Sequence, residues 1–463
     1  MRESPVDALQ ALPSVDSVLN RPELQHSLAE YGRACVVDWV RDEVSRLREE
    51  LLREGTAVGR DELLQTVVAR VASRSAQTIR SRLRQVVNAT GVVLHTSLGR
   101  APLAQAAIDS LVECARGVNL EVDLATGERR TRGYQLDTLW RVLTGAEASL
   151  VVNNNAAATC LTLQALCTGR EVILSRGQLI EIGGSFRLPE IFAASGAILR
   201  EVGTTNRTRL DDYARALGPN TAAILRVHPS NYRVVGFADT PDIGELVALG
   251  RERGVPVIDD IGSGALVEMT QFGLPFEPTF QHSLAAGADL VLGSGDKLLG
   301  GPQCGILLGR RELLDAIRQH PLARALRIDK LTLAALQSTL ELYLRGEASQ
   351  EIPTLRLLST SESELRSRAE AVRNAVGSTG ELEIELEDRT SPVGGGSLPA
   401  VELPTVVLAL SHAAHSATEL ARRLRMRMPA VFGRIESDRV LLDFRSILAE
   451  QDTLVIDALR GIG

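Results

Sequence analysis

From Asn88 to about residue 310 the chain repeats one pattern: a short apolar run rich in β-branched residues, a polar or glycine-rich segment, then a stretch with helical spacing. The runs fall at 149–152, 171–174, 197–199, 223–227, 255–258, 290–292 and 305–308. Runs this short and this apolar suit strands buried on both faces, and such strands alternating with helices assemble into a mostly parallel sheet covered by helices. The spacing therefore predicts an α/β domain over residues 86–330 with a seven-stranded, mostly parallel sheet. In such a sheet, ligands sit outside the carboxyl ends of the strands, where the loops converge.

On either side the texture changes. Residues 1–85 predict a helical domain, with Val36, Val37, Val40, Val44, Leu47 and Leu51 at helical spacing, a break flanked by Gly55 and Gly59, and a second amphipathic run through Leu63, Leu64, Val67, Val68 and Val71. Six arginines face only Asp61 and Glu62 between Arg60 and Arg84, which reads as a solvated helix face. Residues 331–463 predict a small α+β domain. Its pieces are helices over Lys330–Leu344 and Glu362–Val376, an alternating strand over Glu381–Glu387, a turn at Gly394–Ser397, strands over Pro404–Leu410 and Arg439–Phe444, and a helix over Ser416–Arg427.

Several classes of protein are disfavoured. No apolar run is long enough to span a bilayer, and the first fifteen residues lack the apolar core and cleavage site of a signal peptide. Cys35, Cys114, Cys160, Cys167 and Cys304 are scattered without a C-x-x-C pair, which argues against a disulfide scaffold or a zinc site and fits a reducing cytoplasm. A net charge of −7 gives no global sign of nucleic-acid binding, so any such contact must be local.

Lysine occurs only at Lys297 and Lys330, against 51 basic residues in all. In a chain that otherwise uses arginine, a retained lysine is a candidate for chemistry that a permanently protonated guanidinium cannot perform, carbonyl condensation above all. Lys330 sits on an amphipathic stretch and reads as a solvated or interfacial residue. Lys297 instead lies in Gly293-Ser-Gly-Asp-Lys-Leu-Leu-Gly-Gly-Pro302, a polar loop directly after an apolar run, with Ser294 placed to meet a phosphate. Two other loops complete a pattern. Asn153-Asn154-Asn155-Ala156-Ala157-Ala158 opens a helix with small residues, as a phosphate cradle does. Asp259-Asp260-Ile-Gly-Ser263-Gly puts a carboxylate at a strand end, where it can keep a pyridine nitrogen protonated and make the ring an electron sink. Strand alternation lets only one of the two aspartates face that ring; Asp260 is preferred over Asp259. Cradle, acid and lysine in this order point to pyridoxal 5′-phosphate bound as a Schiff base to Lys297.

These residues belong to a longer set of blocks: Asn88-Ala-Thr-Gly-Val-Val-Leu-His-Thr-Ser-Leu-Gly-Arg100, Val152–Ala158, Ser175–Gly184, Glu201–Asn206, Val227–Tyr232 and Ser294–Pro302. In that order they resemble bacterial selenocysteine synthases, the L-seryl-tRNA(Sec) selenium transferases. The resemblance implies a fold-type I pyridoxal-phosphate-dependent transferase that converts L-seryl-tRNA(Sec) to L-selenocysteinyl-tRNA(Sec) with selenophosphate. The implied route runs through loss of the seryl hydroxyl to an aminoacrylyl intermediate, then addition of selenium. Lys297 and Asp296 are the candidate catalytic residues; Lys297, Asn154, Asn155, Ala156, Ala157, Asp260, Ser263 and Ser294 are the candidate cofactor-binding residues. The resemblance assigns Arg100, Arg324 and Arg327 to selenophosphate, the last two as an i, i+3 pair on one helix face. It further implies tRNA recognition by the N-terminal domain, a cytoplasmic homo-oligomer (a decamer built from dimers), and no membrane partner. A related lyase acting on a small amino acid or amino-sugar acid would typically lack the N-terminal domain; an inactive RNA-binding scaffold would have no need of lysine at 297. His228 and Glu181 lie in loops suited to the site, without an assigned role.

Overall fold

A computed structural model describes residues 10–54, 59–80, 82–182, 186–377 and 380–462; Gly55, Gly183 and Gly184 lie outside the described residues. The chain divides into two compact units, residues 1–85 and 86–463.

The first unit is helical. Its long helices, Gln25–Glu54 and Arg60–Arg80, bury Val36, Val40, Leu47 and Leu51 of one with Leu63, Val67, Val68 and Val71 of the other. Gly32 interrupts the first with a left-handed φ of 77°, a conformation that costs glycine little. Three arginines of the basic run are paired within the unit: Arg70 with Glu50, Arg74 with Asp42 and Arg82 with Glu30.

The second unit holds two main sheets. The strands are β1 (Val86–Ala89), β2 (Ala148–Val152), β3 (Glu171–Ser175), the short hairpin β4 (Glu181–Ile182) and β5 (Phe186–Arg187), β6 (Ile198–Val202), β7 (Thr221–Val227), β8 (Val257–Gly262), β9 (Leu290–Ser294), β10 (Gly305–Gly309), β11 (Leu382–Pro392), β12 (Glu402–His412), β13 (Ala430–Glu436) and β14 (Arg439–Asp443). The large sheet runs β2-β10-β9-β8-β7-β3-β6, and only β10 is antiparallel to its neighbours. All seven expected strands are present. Alternate residues feed opposite faces: Val291, Ile306 and Leu308 enter one core, Leu290, Leu292 and Leu307 the other. Burial on both faces is why these strands read as unbroken apolar runs.

The smaller sheet runs β1-β13-β14-β12-β11, with β1 parallel to β13 and the rest antiparallel. Here the expected boundaries need correction at both ends of the large domain. Val86–Ala89, placed by the sequence in residues 86–330, pairs with Ala430–Gly433 in the smaller sheet. Conversely, the helix Lys330–Leu344 carries Leu333, Leu336 and Leu340 into one core with Leu136 and Trp140. Ile352, Leu355 and Leu358 pack with Val93, Leu94 and Leu298. The apolar faces of residues 330–359 are thus buried in large-sheet and site-flanking cores, and the smaller layer resumes with the helix Glu362–Val376, whose Leu365, Ala369 and Val372 cover the smaller sheet. Among the described residues no helix is long and apolar enough to cross a membrane.

Candidate active site

The carboxyl ends of β8 and β9 and the start of the helix after β2 bring the principal residues together. Asp259 and Asp260 are adjacent on β8 and therefore point to opposite faces. Asp259 is fully buried and occupied: Arg226, its register partner on β7, donates to it at 2.9 Å, and Ser283 Oγ at 2.6 Å. Asp260 faces the helix Asn155–Cys167. Its Oδ1 accepts from Asn155 Nδ2 at 2.8 Å and from the Gly262 amide at 3.0 Å, and its Oδ2 from Thr159 Oγ1 at 3.0 Å. A carboxylate has about four acceptor positions, so one remains for a further donor. Burial pushes the Asp260 carboxyl above its usual range, against the hydrogen bonds from Asn155 and Thr159 and the charge of Lys297.

Lys297 is buried, 6% exposed, in the loop after β9. Burial holds its amine below the usual lysine value, and the charge of Arg100 adds to this, while Asp260, Asp296 and Glu277 oppose it. A lysine so placed spends more time as the free amine, the nucleophilic form. Asp296 accepts from Ser294 Oγ at 2.7 Å through one oxygen and from Arg100 Nη1 at 2.8 Å through the other. Ser294, expected to meet a phosphate, is thus engaged with Asp296. Arg100 adopts a left-handed φ of 60°, a conformation that costs a non-glycine residue on the order of 1 kcal/mol and that clusters at functional sites.

The sequence did not reveal what closes over the lysine. Gly394 bridges to Leu94, and the chain then bends at Gly396, whose φ is 87°. A Cβ added there would lie 2.6 Å from Lys297 Nζ. The segment Gly394–Ser397 reads as an ordinary turn in sequence; three consecutive glycines before a serine are the only hint that a backbone approaches something closely.

Arg324 and Arg327 are brought together, but not as expected. The helix Pro321–Ala325 ends before Arg327, which instead bridges to Val152 at the edge of β2. Both side chains line a cavity of about 490 Å³ with Arg129, Arg130, Arg132 and Arg318, and its lining includes neither Arg100 nor Lys297. One carboxylate, Glu121, is shared there by Arg129, Arg132 and Arg327 at 3.1, 3.1 and 3.4 Å. Hydrogen bonds from Arg129, then Arg132, hold Glu121 below the usual carboxylate range. Arg324 has no ion pair or hydrogen bond among the described residues, so the cavity carries surplus positive charge. Elsewhere, Lys330 donates to the carbonyls of Ala115 and Arg116, and Glu181 is exposed and paired with Arg187.

The residues around Lys297 fit a bound pyridoxal phosphate. Asn155 Oδ1 and Ser263 Oγ are buried without a hydrogen-bond partner. Asn154 caps the helix Asn155–Cys167, its Oδ1 accepting from the Ala157 amide at 2.8 Å, and the amides of Asn155 and Ala156, beside small side chains, are left open to an anion. The open acceptor position on Asp260 suits a protonated ring nitrogen. The solved D-glucosaminate-6-phosphate ammonia-lyase shares the fold, with a TM-score of 0.57 at 20% identity over 83% of this chain and 97% of that one. Fold and site together define a fold-type I, pyridoxal-phosphate-dependent enzyme.

The family is narrower than that class. The sequence model for L-seryl-tRNA selenium transferase matches residues 86–448, and that for the selenocysteine synthase N-terminal region matches residues 9–48. The L-seryl-tRNA(Sec) selenium transferase of Carboxydothermus hydrogenoformans is 46% identical, covering 96% of this chain and 95% of its own. That of Geobacter sulfurreducens is 47% identical, covering 97% and 98%. The chain belongs to the L-seryl-tRNA(Sec) selenium transferase family.

Proposed function

We propose that this chain converts L-seryl-tRNA(Sec) and selenophosphate to L-selenocysteinyl-tRNA(Sec) and phosphate. The observation that carries the reading is a buried lysine, facing Asp260 beside a small-residue helix start, in a chain matching the family over both units. The chemistry that pyridoxal phosphate supplies when bound is withdrawal of electrons from the α-carbon of an attached amino acid, which makes its proton acidic and lets the β-hydroxyl leave. Lys297 holds the group in place and, once released from it, takes the α-proton on Nζ. Asp260, steadied by Asn155 and Thr159, would keep the ring nitrogen protonated. The amides of Asn155 and Ala156, with Ser263 Oγ, would take the phosphate. Asp296 holds Arg100 beside the lysine.

Selenophosphate needs fixed cationic donors, and the shared-carboxylate cluster around Arg324 and Arg327 supplies them. Because that cavity and Lys297 do not share a lining within one chain, we infer a homo-oligomer in which one copy's arginines face another copy's lysine, consistent with the decamer of dimers implied by the family. The helical unit is assigned to the tRNA, and the enzyme to the cytoplasm.

The direct test is the visible band of the cofactor-loaded protein. Seryl-tRNA(Sec) is expected to shift it, free serine is not, and selenium should enter the product only with selenophosphate present. A band that responds to free amino acids and ignores seryl-tRNA(Sec) would replace the transferase with a lyase. A second expectation concerns the anion. Arg324→Ala should raise KM for selenophosphate about tenfold, the value of one charge-assisted hydrogen bond, with KM for seryl-tRNA(Sec) changed less than about threefold. Equal changes in both constants would remove Arg324 from the anion site.

A further inference from the structure

A second cavity, of about 650 Å³, lined by Glu277 and His228 among others, is left unused by the chemistry above. Two contacts join it to the site. The His228 amide donates to the Asp260 carbonyl at 2.9 Å. Leu398 and Pro399, which line the cavity, continue the glycine loop that closes on Lys297 Nζ.

Two polar side chains of this cavity have unmet hydrogen-bonding capacity. Glu277 is 2% exposed, and its Oε1 has no hydrogen-bond partner. Its other oxygen lies 3.4 Å from His228 Nε2, which makes no hydrogen bond either. A buried carboxylate oxygen without a donor is costly, so the cavity calls for a ligand that brings one. A hydroxyl brings the donor that this oxygen lacks. At the rim, Phe276 is 60% exposed and offers a flat apolar face. Buried acceptor and exposed ring together match a nucleoside: a sugar hydroxyl for the first, a stacked base for the second.

The substrate supplies such a group at this distance. In an aminoacyl-tRNA the amino acid is esterified to one hydroxyl of the terminal ribose, and the vicinal hydroxyl is free. Only the carboxyl carbon and the ester oxygen separate the reacting α-carbon from that sugar. We propose that this cavity receives the terminal ribonucleoside of the aminoacylated tRNA, with the Glu277 carboxylate accepting a hydrogen bond from the ribose hydroxyl that the seryl ester leaves free. The proposal rests on the transferase reading above and extends it. The ester, rather than the free amino acid, is then recognised within a few bonds of the reacting carbon.

The test is a two-by-two comparison of kcat/KM in the cofactor-loaded full chain. Wild type and Glu277→Gln are each assayed with seryl-tRNA(Sec) and with the same tRNA ending in a 2′-deoxynucleoside carrying serine on its 3′-hydroxyl. Losing a hydrogen bond to a charged group should cost the wild type about tenfold or more on the deoxy substrate, whereas the variant, already weakened about tenfold, should lose about threefold or less. Equal deoxy penalties in the two proteins would overturn the assignment. So would a Glu277→Gln protein whose cofactor band is altered before substrate is added, since the carboxylate would then serve the cofactor. Phe276→Ala, at an exposed position, is the second variant, expected to raise KM for seryl-tRNA(Sec) about tenfold through lost stacking, with kcat held. An unchanged KM would remove the base from this cavity. If the wild type turns over neither seryl-tRNA while its band responds to free serine, the transferase reading itself fails, a result distinct from equal penalties on an active enzyme.

Discussion

Lys297→Ala is expected to lower the rate of selenocysteinyl-tRNA(Sec) formation on the order of 10⁴-fold or more, because one substitution removes both the covalent anchor and the general base. The visible band of the loaded protein should disappear with it, while the cofactor's phosphate should still be held by the amides of Asn155 and Ala156 and by Ser263. Stoichiometric cofactor without the band is therefore the expected finding, read by absorbance and by cofactor released on denaturation. Arg100 and Asp296 keep each other's company in the variant, so the loop should remain in place. A variant that retains the band, or more than about a hundredth of the wild-type rate, would move the anchoring role away from Lys297. Lys330 could not inherit it, since its amine is engaged by the carbonyls of Ala115 and Arg116.

The second large effect is predicted at a residue with no functional group. Gly396→Val is expected to lower kcat at least 10²-fold, the usual consequence of displacing a reacting atom by about 1 Å. The argument is steric: a Cβ at 396 would stand 2.6 Å from Nζ and 2.9 Å from Cε of Lys297, and the backbone there has a φ of 87° that a β-branched residue adopts only under strain. The lysine must then swing away from Asp260. Gly395→Ala is the control, because a Cβ at 395 meets only Thr96 Oγ1 at 3.5 Å, ordinary contact, and should cost less than about threefold. Circular dichroism and the visible band separate misfolding from misplacement. A folded Gly396→Val protein with wild-type kcat would show that the loop is not the lid of the lysine pocket.

How much of this could be read beforehand differs from element to element. The seven central strands were legible because both of their faces are buried, so apolar content and length sufficed. β1 and β13 were not: Val86–Ala89 is four residues long, and its partner at Ala430–Gly433 lies at the other end of the unit, a pairing no local pattern announces. The lysine loop and the asparagine cradle were legible from residue type and position after strands. The choice between Asp259 and Asp260 rested on alternation alone, yet a stronger signal was present. Arg226 interrupts an otherwise apolar strand, and a cation there needs a carboxylate on the neighbouring strand, which is Asp259. Arg324 and Arg327 were placed on one helix face because i, i+3 spacing permits it; the helix stops at Ala325, and the edge of β2 captures Arg327. Glu277 and His228 left no trace beyond their residue types, since what marks them is an unmet hydrogen bond in three dimensions.

The pairing of β1 with β13 also governs when the catalytic pocket comes into being. Synthesis proceeds from the N-terminus, so the loop bearing Lys297 leaves the ribosome well before Gly394, Gly396 and the strand at 430–436 exist. Until then Val86–Ala89 has no partner, Leu94 has no bridge to Gly394, and nothing covers the amine. The closing contacts are among the most distant in the unit's sequence, the kind whose loop-closure entropy makes them slow and late. The strands of the large sheet can therefore be in place while Lys297 still lacks the cover that Gly396 brings.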